Sequence, residues 1–320
     1  MRPTNNAASK PAQASNQAIQ RAIWIVLGLL LVLLLIFAGY YVSDRYFHAE
    51  EQPPGERDIE HLEEAVLQEP QNPLLRIALA ESYLRAGWNA EALEQAGQVL
   101  RQYPYNASAL LIAGIGEVKL DRPEAALAPL HSFVALRKDG PMARTDTALE
   151  AAYYYLGESY LKLGRPAEAI PLLEAALQIS PVDADALYQL GLALDADGQR
   201  PLAVQKYGEA VRLVPDFEEA YRAMAATYAA LDQPDHATYA EGMVAFCHQD
   251  YRAAVSYLER ATQALPGSAP AFLGLGLSYE GLGSLQPALS AIQQSLVLDP
   301  TDFAAQQALA RLQAALETQD

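Results

Sequence analysis

The chain has 320 residues, 51% of them hydrophobic and 19% charged, enough for one large or two ordinary globular domains. Its net charge of −17 is unevenly spread: residues 1–43 hold Arg2, Lys10 and Arg21 and no acid, which leaves 19 basic against 39 acidic side chains, a net −20, in residues 44–320. A domain so anionic repels nucleic-acid phosphates, which argues against a nucleic-acid partner, and the single cysteine, Cys247, rules out an intrachain disulfide.

The first element in chain order is an apolar run. Ile23 to Val42 are 20 residues without a charge or a proline, the length of about 20 that a helix needs to cross the hydrocarbon layer. Trp24 at one end and Tyr40, Tyr41 and Tyr46 at the other suit the two interfaces. The run is longer than the core of a cleaved signal peptide, usually about 7–15 residues. FAGYYVSD lacks a small-x-small cleavage site, and no cysteine follows for lipoprotein processing. We therefore expect a tail over 1–22, a membrane-spanning helix over 23–43, and a linker over 44–57 containing Pro53, Pro54 and Gly55. The basic tail and the far flank with Asp44, Glu50 and Glu51 predict a tail in the bacterial cytoplasm and a main domain on the outer side of the cytoplasmic membrane.

Beyond the linker a period appears. Pro70, Pro104, Pro181, Pro215, Pro266 and Pro300 are separated by 34, 77, 34, 51 and 34 residues. Between them one small/large pattern returns, as in YYYLGESYLKLGRPAEAIPLLEAALQISP from Tyr153 and LYQLGLALDADGQRPLAVQKYGEAVRLVP from Leu187. Leu156, Gly157, Tyr160, Gly164, Ala169, Leu173, Ala176 and Pro181 form one set. Leu275, Gly276, Tyr279, Gly283, Ala288, Ile292 and Pro300 form another, and Leu79, Ala80, Tyr83, Gly87, Ala92, Ala96, Val99 and Pro104 a third.

A period of 34 with this pattern resembles the tetratricopeptide repeat, whose motif runs W-x2-L-G-x2-Y, then A-x3-F, then A and P. The resemblance spans about residues 58–317. It implies an all-α fold, a right-handed superhelical α-solenoid of antiparallel helix pairs behind one N-terminal transmembrane helix. Counting within a repeat, small residues at positions 8 and 20 let the paired backbones approach while large ones at 4, 7, 11 and 24 fill the seam. A glycine near position 15 ends the first helix in the left-handed conformation. The proline at 32 stops the second, and Asn72, Asn106, Asp183, Ser268 and Asp302, two residues on, are N-caps of the next. An unpaired second helix over about 58–69 and a final helix over about 302–317 close the ends.

The period breaks twice. Lys138 stands where a proline is usual, and nine extra residues precede the next helix, so 139–149 is irregular. With Arg137, Lys138 and Arg144 this is a solvated loop, an extension of the following helix, or a partner contact. The 51 residues from Pro215 to Pro266 supply three helices instead of two. Gly242, Ala245, Tyr251, Ala254, Leu258 and Ala261 are in phase, so the fifth repeat keeps its first helix and lacks its second, with an offset expected over 232–250.

No enzyme motif survives this partition. His48, His61, His131, His236 and His248 show no metal-binding spacing and stand beside no nucleophile motif. The glycines of GIGEVK and GLGLSYEGLG fall in repeat helices and turns, and no haem-attachment motif exists, so we expect no catalytic residue, metal or cofactor. What the resemblance implies instead is protein or peptide binding, with positions 2, 5, 9 and 12 of each first helix lining a concave groove. Position 5 reads Ile77, Leu111, Tyr154, Tyr188, Arg222, Tyr239 and Leu273, and position 9 includes Ile115, Glu158, Leu192, Ala226 and Met243. Such rings and aliphatics offer contact area at little entropic cost, unless tight curvature buries them. The Lys and Asn with which chaperone-binding members hold a C-terminal carboxylate are absent. The resemblance thus implies a membrane-tethered scaffold or assembly factor for another protein. Its alternative within the same architecture is a subunit of a biogenesis machine such as cytochrome c maturation or pilus and secretion assembly. An accessory domain of an enzyme is the alternative outside it, but anchor, linker and repeats leave little room for a catalytic domain.

Overall fold

A computed structural model of the protein describes residues 54–317, and their side chains from Asp58 onward. The expected tail, the apolar run 23–43 and most of the linker lie outside the described residues. The chain divides into two units, residues 1–65 and 66–320. Helix α1, Pro54–Gln68, opens in the first and ends in the second. It starts four residues ahead of the expected position, at Pro54, a residue suited to a first helical turn because its missing N–H has no helical partner there.

Within residues 66–317 the described elements are helices α2 (Pro73–Ala86), α3 (Asn89–Gln102), α4 (Ala107–Lys119), α5 (Pro123–Arg137), α6 (Thr147–Lys162), α7 (Pro166–Ile179) and α8 (Ala184–Ala196). They continue as α9 (Arg200–Leu213), α10 (Glu218–Ala230), α11 (Pro234–Cys247), α12 (Tyr251–Ala264), α13 (Ala269–Gly281), α14 (Leu285–Leu298) and α15 (Phe303–Glu317). Each packs on the next, and the first helices of successive pairs also touch. This is the solenoid that the period implied: a single pair cannot cover its own apolar face, and stacking does so.

The repeat residues show why. Ala92, Ala126, Ala169, Ala203, Ala254 and Ala288, all at position 20, are fully buried. Position 8 is closer still. A Cβ on Gly157 would lie 2.5 Å from Leu173 Cγ, and one on Gly191 2.4 Å from the Tyr207 ring. The missing methyl is what lets the large residue at position 24 seat against the first helix, and Leu130, Leu173, Tyr207, Leu258 and Ile292 there are fully buried, worth about 1.5–3 kcal/mol each by area.

The turns follow the same chemistry. Gly87 (φ 80°) ends α2 with its N–H on the Leu84 carbonyl at 3.1 Å and the Trp88 N–H on that of Tyr83 at 2.8 Å. Where no glycine is present, Asp121, Asp232 and Gln249 take φ of 57°, 57° and 59°, a conformation that costs most side chains and Asn or Asp least. Asn72, Asn106, Asp183, Ser268 and Asp302 all cap as expected, each accepting a backbone N–H of the following helix. In the irregular segment a short 3₁₀ turn, Ala143–Thr145, precedes α6. Asp146 caps α6 and also receives Arg137 at 2.7 Å, so that cation is committed within the loop.

At 232–250 the helix expected to be missing is present in another form. Helix α11 packs against both α10 and α12, and its stacking neighbour along the first-helix row is α13, whereas that of α10 is α8. The turns at Asp232 and Gln249 are both of the kind that joins a first helix to a second. One helix therefore serves as second helix to α10 and first helix to α12, and the repeat phase shifts by half a period across it.

Candidate functional site

The residues singled out from the sequence lie on seven helices, α2, α4, α6, α8, α10, α11 and α13. Ile77 on α2, Leu111 and Ile115 on α4, Tyr154 and Glu158 on α6, Tyr188 and Leu192 on α8, and Leu273 on α13 are all half-buried, while Arg222 on α10 is exposed. Half-burial fits neither of the two expectations in pure form: these side chains pack against the core on one side and face water on the other. Tyr154 stands edge-on to Tyr155 (5.2 Å, 85°), and Tyr188 packs against Phe217 at 5.1 Å and Tyr207 at 6.0 Å. The two rings, at the same position of adjacent repeats, thus find their ring partners elsewhere.

Tyr239 and Met243 do not belong to the row. They are 9% and 4% exposed, because α11 is paired with both α10 and α12. Tyr239 meets Tyr221 of α10 edge-on at 6.3 Å, and the Met243 sulfur lies 2.5 Å from where a Cβ on Gly274 of α13 would stand. Their repeat positions are those of groove residues; the double pairing of α11 turns them into core.

Between α8 and α10 the row opens into a depression of about 280 Å³ lined by Tyr188, Glu219, Arg222, Ala223 and Ala226. Its ring comes from position 5 of one repeat and its cation from position 5 of the next. Small alanines make the space between them. Glu219 at position 2 and Ala223 at position 6 escaped the sequence reading, although position 2 is one that the repeat pattern points inward.

Charge around the row is mostly acidic. Arg222 and His248 both reach Glu218, the histidine at 3.2 Å. Lys162 is held by Asp121 at 3.1 Å and Glu158 at 3.3 Å. Burial raises the Tyr154 hydroxyl well above the ordinary tyrosine range, with Glu158 and Asp185 adding to it. Burial and then Glu219 raise Tyr188, Arg222 opposing. Burial and the neighbouring Asp183 carboxyl push Glu150, in the first turn of α6, up to about 7. This Glu150–Asp183 pair was also missed, since nothing local joins residues in different repeats.

Elsewhere the candidate reactive groups are occupied in packing. Burial and acids on the α9–α10 connection and α10 push the half-buried Cys247 thiol up to about 11, so it stays protonated at neutral pH. His131 bonds the Tyr160 hydroxyl at 2.8 Å and His236 packs on Tyr228. Among the described residues no group of three or more His, Cys, Asp or Glu is placed to hold a metal ion.

A stack of helix pairs with a row of half-buried side chains along its first helices defines a repeat protein of the α-solenoid class. The family model for the tetratricopeptide repeat matches residues 113–184, 154–216 and 239–303, more than half of the chain. The chain belongs to the tetratricopeptide-repeat family. Between them the matches leave out 217–238, which covers α10 and the start of α11.

Among solved structures, a MamA protein is 25% identical over 62% of this chain and 93% of its own, with a TM-score of 0.45. Residues 41 to the end of MamA from Desulfovibrio magneticus RS-1 match at 25% identity over 56% and 96%, with a TM-score of 0.49. YrrB, a TPR protein with an unusual peptide-binding site, matches at 20% over 67% and 96%, with a TM-score of 0.46.

Proposed function

We propose that this protein is a membrane-tethered, non-enzymatic scaffold that holds a segment of another protein along the first-helix row, on the outer side of a bacterial cytoplasmic membrane. The observation that carries the binding reading is the open depression of about 280 Å³ between α8 and α10, with the Tyr188 ring as one wall and room left by Ala223 and Ala226. A half-buried ring is already ordered by its packing, so a partner gains contact area without fixing a free side chain. The tether rests on the 20-residue apolar run and its placement on the basic tail before it.

In-cell photocrosslinking tests the binding reading. A benzoylphenylalanine replacing Tyr188 should capture a discrete partner, while the same probe replacing exposed Gln293 on α14 should not; equal or absent capture at both positions refutes it. For the tether, protease added outside spheroplasts should digest the repeat domain. An intact domain that becomes cleavable only on lysis would overturn the outside placement.

A further inference from the structure

The row between α6 and α10 has a chemistry of its own. Its cations are already engaged: Arg222 by Glu218, and Lys162 by Asp121 and Glu158. Its other carboxylates meet no such cation. Among the described residues no Lys or Arg bridges Glu150, Asp183, Asp185 or Glu219. These four are not scattered. Glu219 lines the same depression as Tyr188, and Asp185 and Glu150 stand in the first turns of α8 and α6, the helices that carry Tyr188 and Tyr154. Glu150 and Asp183 share a side-chain hydrogen bond, two carboxyls with no cation between them.

Resting on the reading of this row as the docking surface, we propose that it selects a cationic amphipathic segment. The apolar side chains of the partner would enter beside Tyr154 and Tyr188, and its Lys or Arg side chains would meet Glu150, Asp185 and Glu219. The depression supplies the apolar part, since Tyr188, Ala223 and Ala226 line it. Complementary charge supplies the rest: a basic segment relieves the repulsion among the acids, while an acidic one brings further negative charge to a domain of net −20 over residues 44–320. Arg222 does not reverse this, because its charge is balanced by Glu218 before any ligand arrives.

The test uses the full chain in phosphatidylcholine nanodiscs, with benzoylphenylalanine in place of exposed Ala229, next to the depression. Crosslinking then reports peptide in the row and ignores peptide on lipid. Three 12-residue probes are titrated: alternating Lys and Leu blocks, the same with every Lys changed to Glu, and the same with every Leu changed to Ser. The Lys–Leu probe should reach half-maximal crosslinking at a concentration at least tenfold below either of the others. The isosteric triple variant Glu150→Gln, Asp185→Asn, Glu219→Gln, checked by its helical circular dichroism, should raise that concentration at least fivefold. Equal crosslinking of the Glu–Leu probe overturns the proposal, as does a Lys–Leu preference that survives the triple variant, which would belong to the charge of the whole domain. Absence of crosslinking with every probe overturns it too. The docking reading beneath it fails by a different sign: Tyr154→Ala with Tyr188→Ala leaving crosslinking of the Lys–Leu probe unchanged.

Discussion

Replacing Gly157 by alanine should destabilise this protein although alanine is the better helix former. In the middle of α6 the change gains about 1 kcal/mol of intrinsic propensity. Against it stands the new Cβ, 2.5 Å from Leu173 Cγ and 2.7 Å from Cδ2. Leu173 is fully buried, and its γ carbon is a branch point that cannot swing clear without moving α7. Overpacking of this kind costs about 1–3 kcal/mol, so the net loss should be up to about 2 kcal/mol. Gly97 in α3 is the control, because a Cβ there meets nothing within 4 Å. Gly97→Ala should stabilise by about 0.5–1 kcal/mol. Thermal melts followed by helical circular dichroism, compared at their midpoints, would show the two variants moving in opposite directions. If Gly157→Ala melts at or above the parent, the close approach at position 8 is not what sets the helix pairing.

Tyr239→Ala should lower stability by about 3–5 kcal/mol as a core truncation. Tyr154→Ala with Tyr188→Ala should instead cost about 2 kcal/mol or more in partner binding, with a smaller loss of stability for each ring. Melting and capture measured on the same preparations separate the two, and a Tyr239 variant as stable as the parent would restore that residue to the groove. Asp146→Ala removes both the α6 cap and the Arg137 partner and should cost about 1–2 kcal/mol, visible as a lower midpoint. The fold holds the Glu150 proton up to about 7, against 4.5 ordinarily. Its contribution to stability is then complete below about 4.5 and lost as pH rises through about 7, because the folded chain binds the extra proton in that window. The midpoint of the parent should fall more steeply than that of Glu150→Gln between about pH 5 and pH 8; parallel slopes would refute the shift.

The sequence by itself determined the repeat. Gly157, Ala169 and Leu173 form one contact between two helices of the same repeat, and Ala80, Ala92 and Ala96 form it again, so the contact is written at a fixed spacing and can be read without coordinates. The caps at Asn72, Asn106 and Asp183 are legible for the same reason, each acting on backbone two or three residues away. Tyr239 and Met243 mark where that ends. Their phase is that of Tyr188 and Leu192, but whether such a position faces water depends on what packs beside its helix, and on α11 Tyr239 meets Tyr221 of α10 while Met243 meets α13 at Gly274. The meeting of Glu150 with Asp183, and of Tyr188 with Glu219, likewise joins residues from separate repeats. Only the stacking of one pair on the next brings them together, because a helix fixes the directions of its own side chains while its neighbours decide which of them are covered.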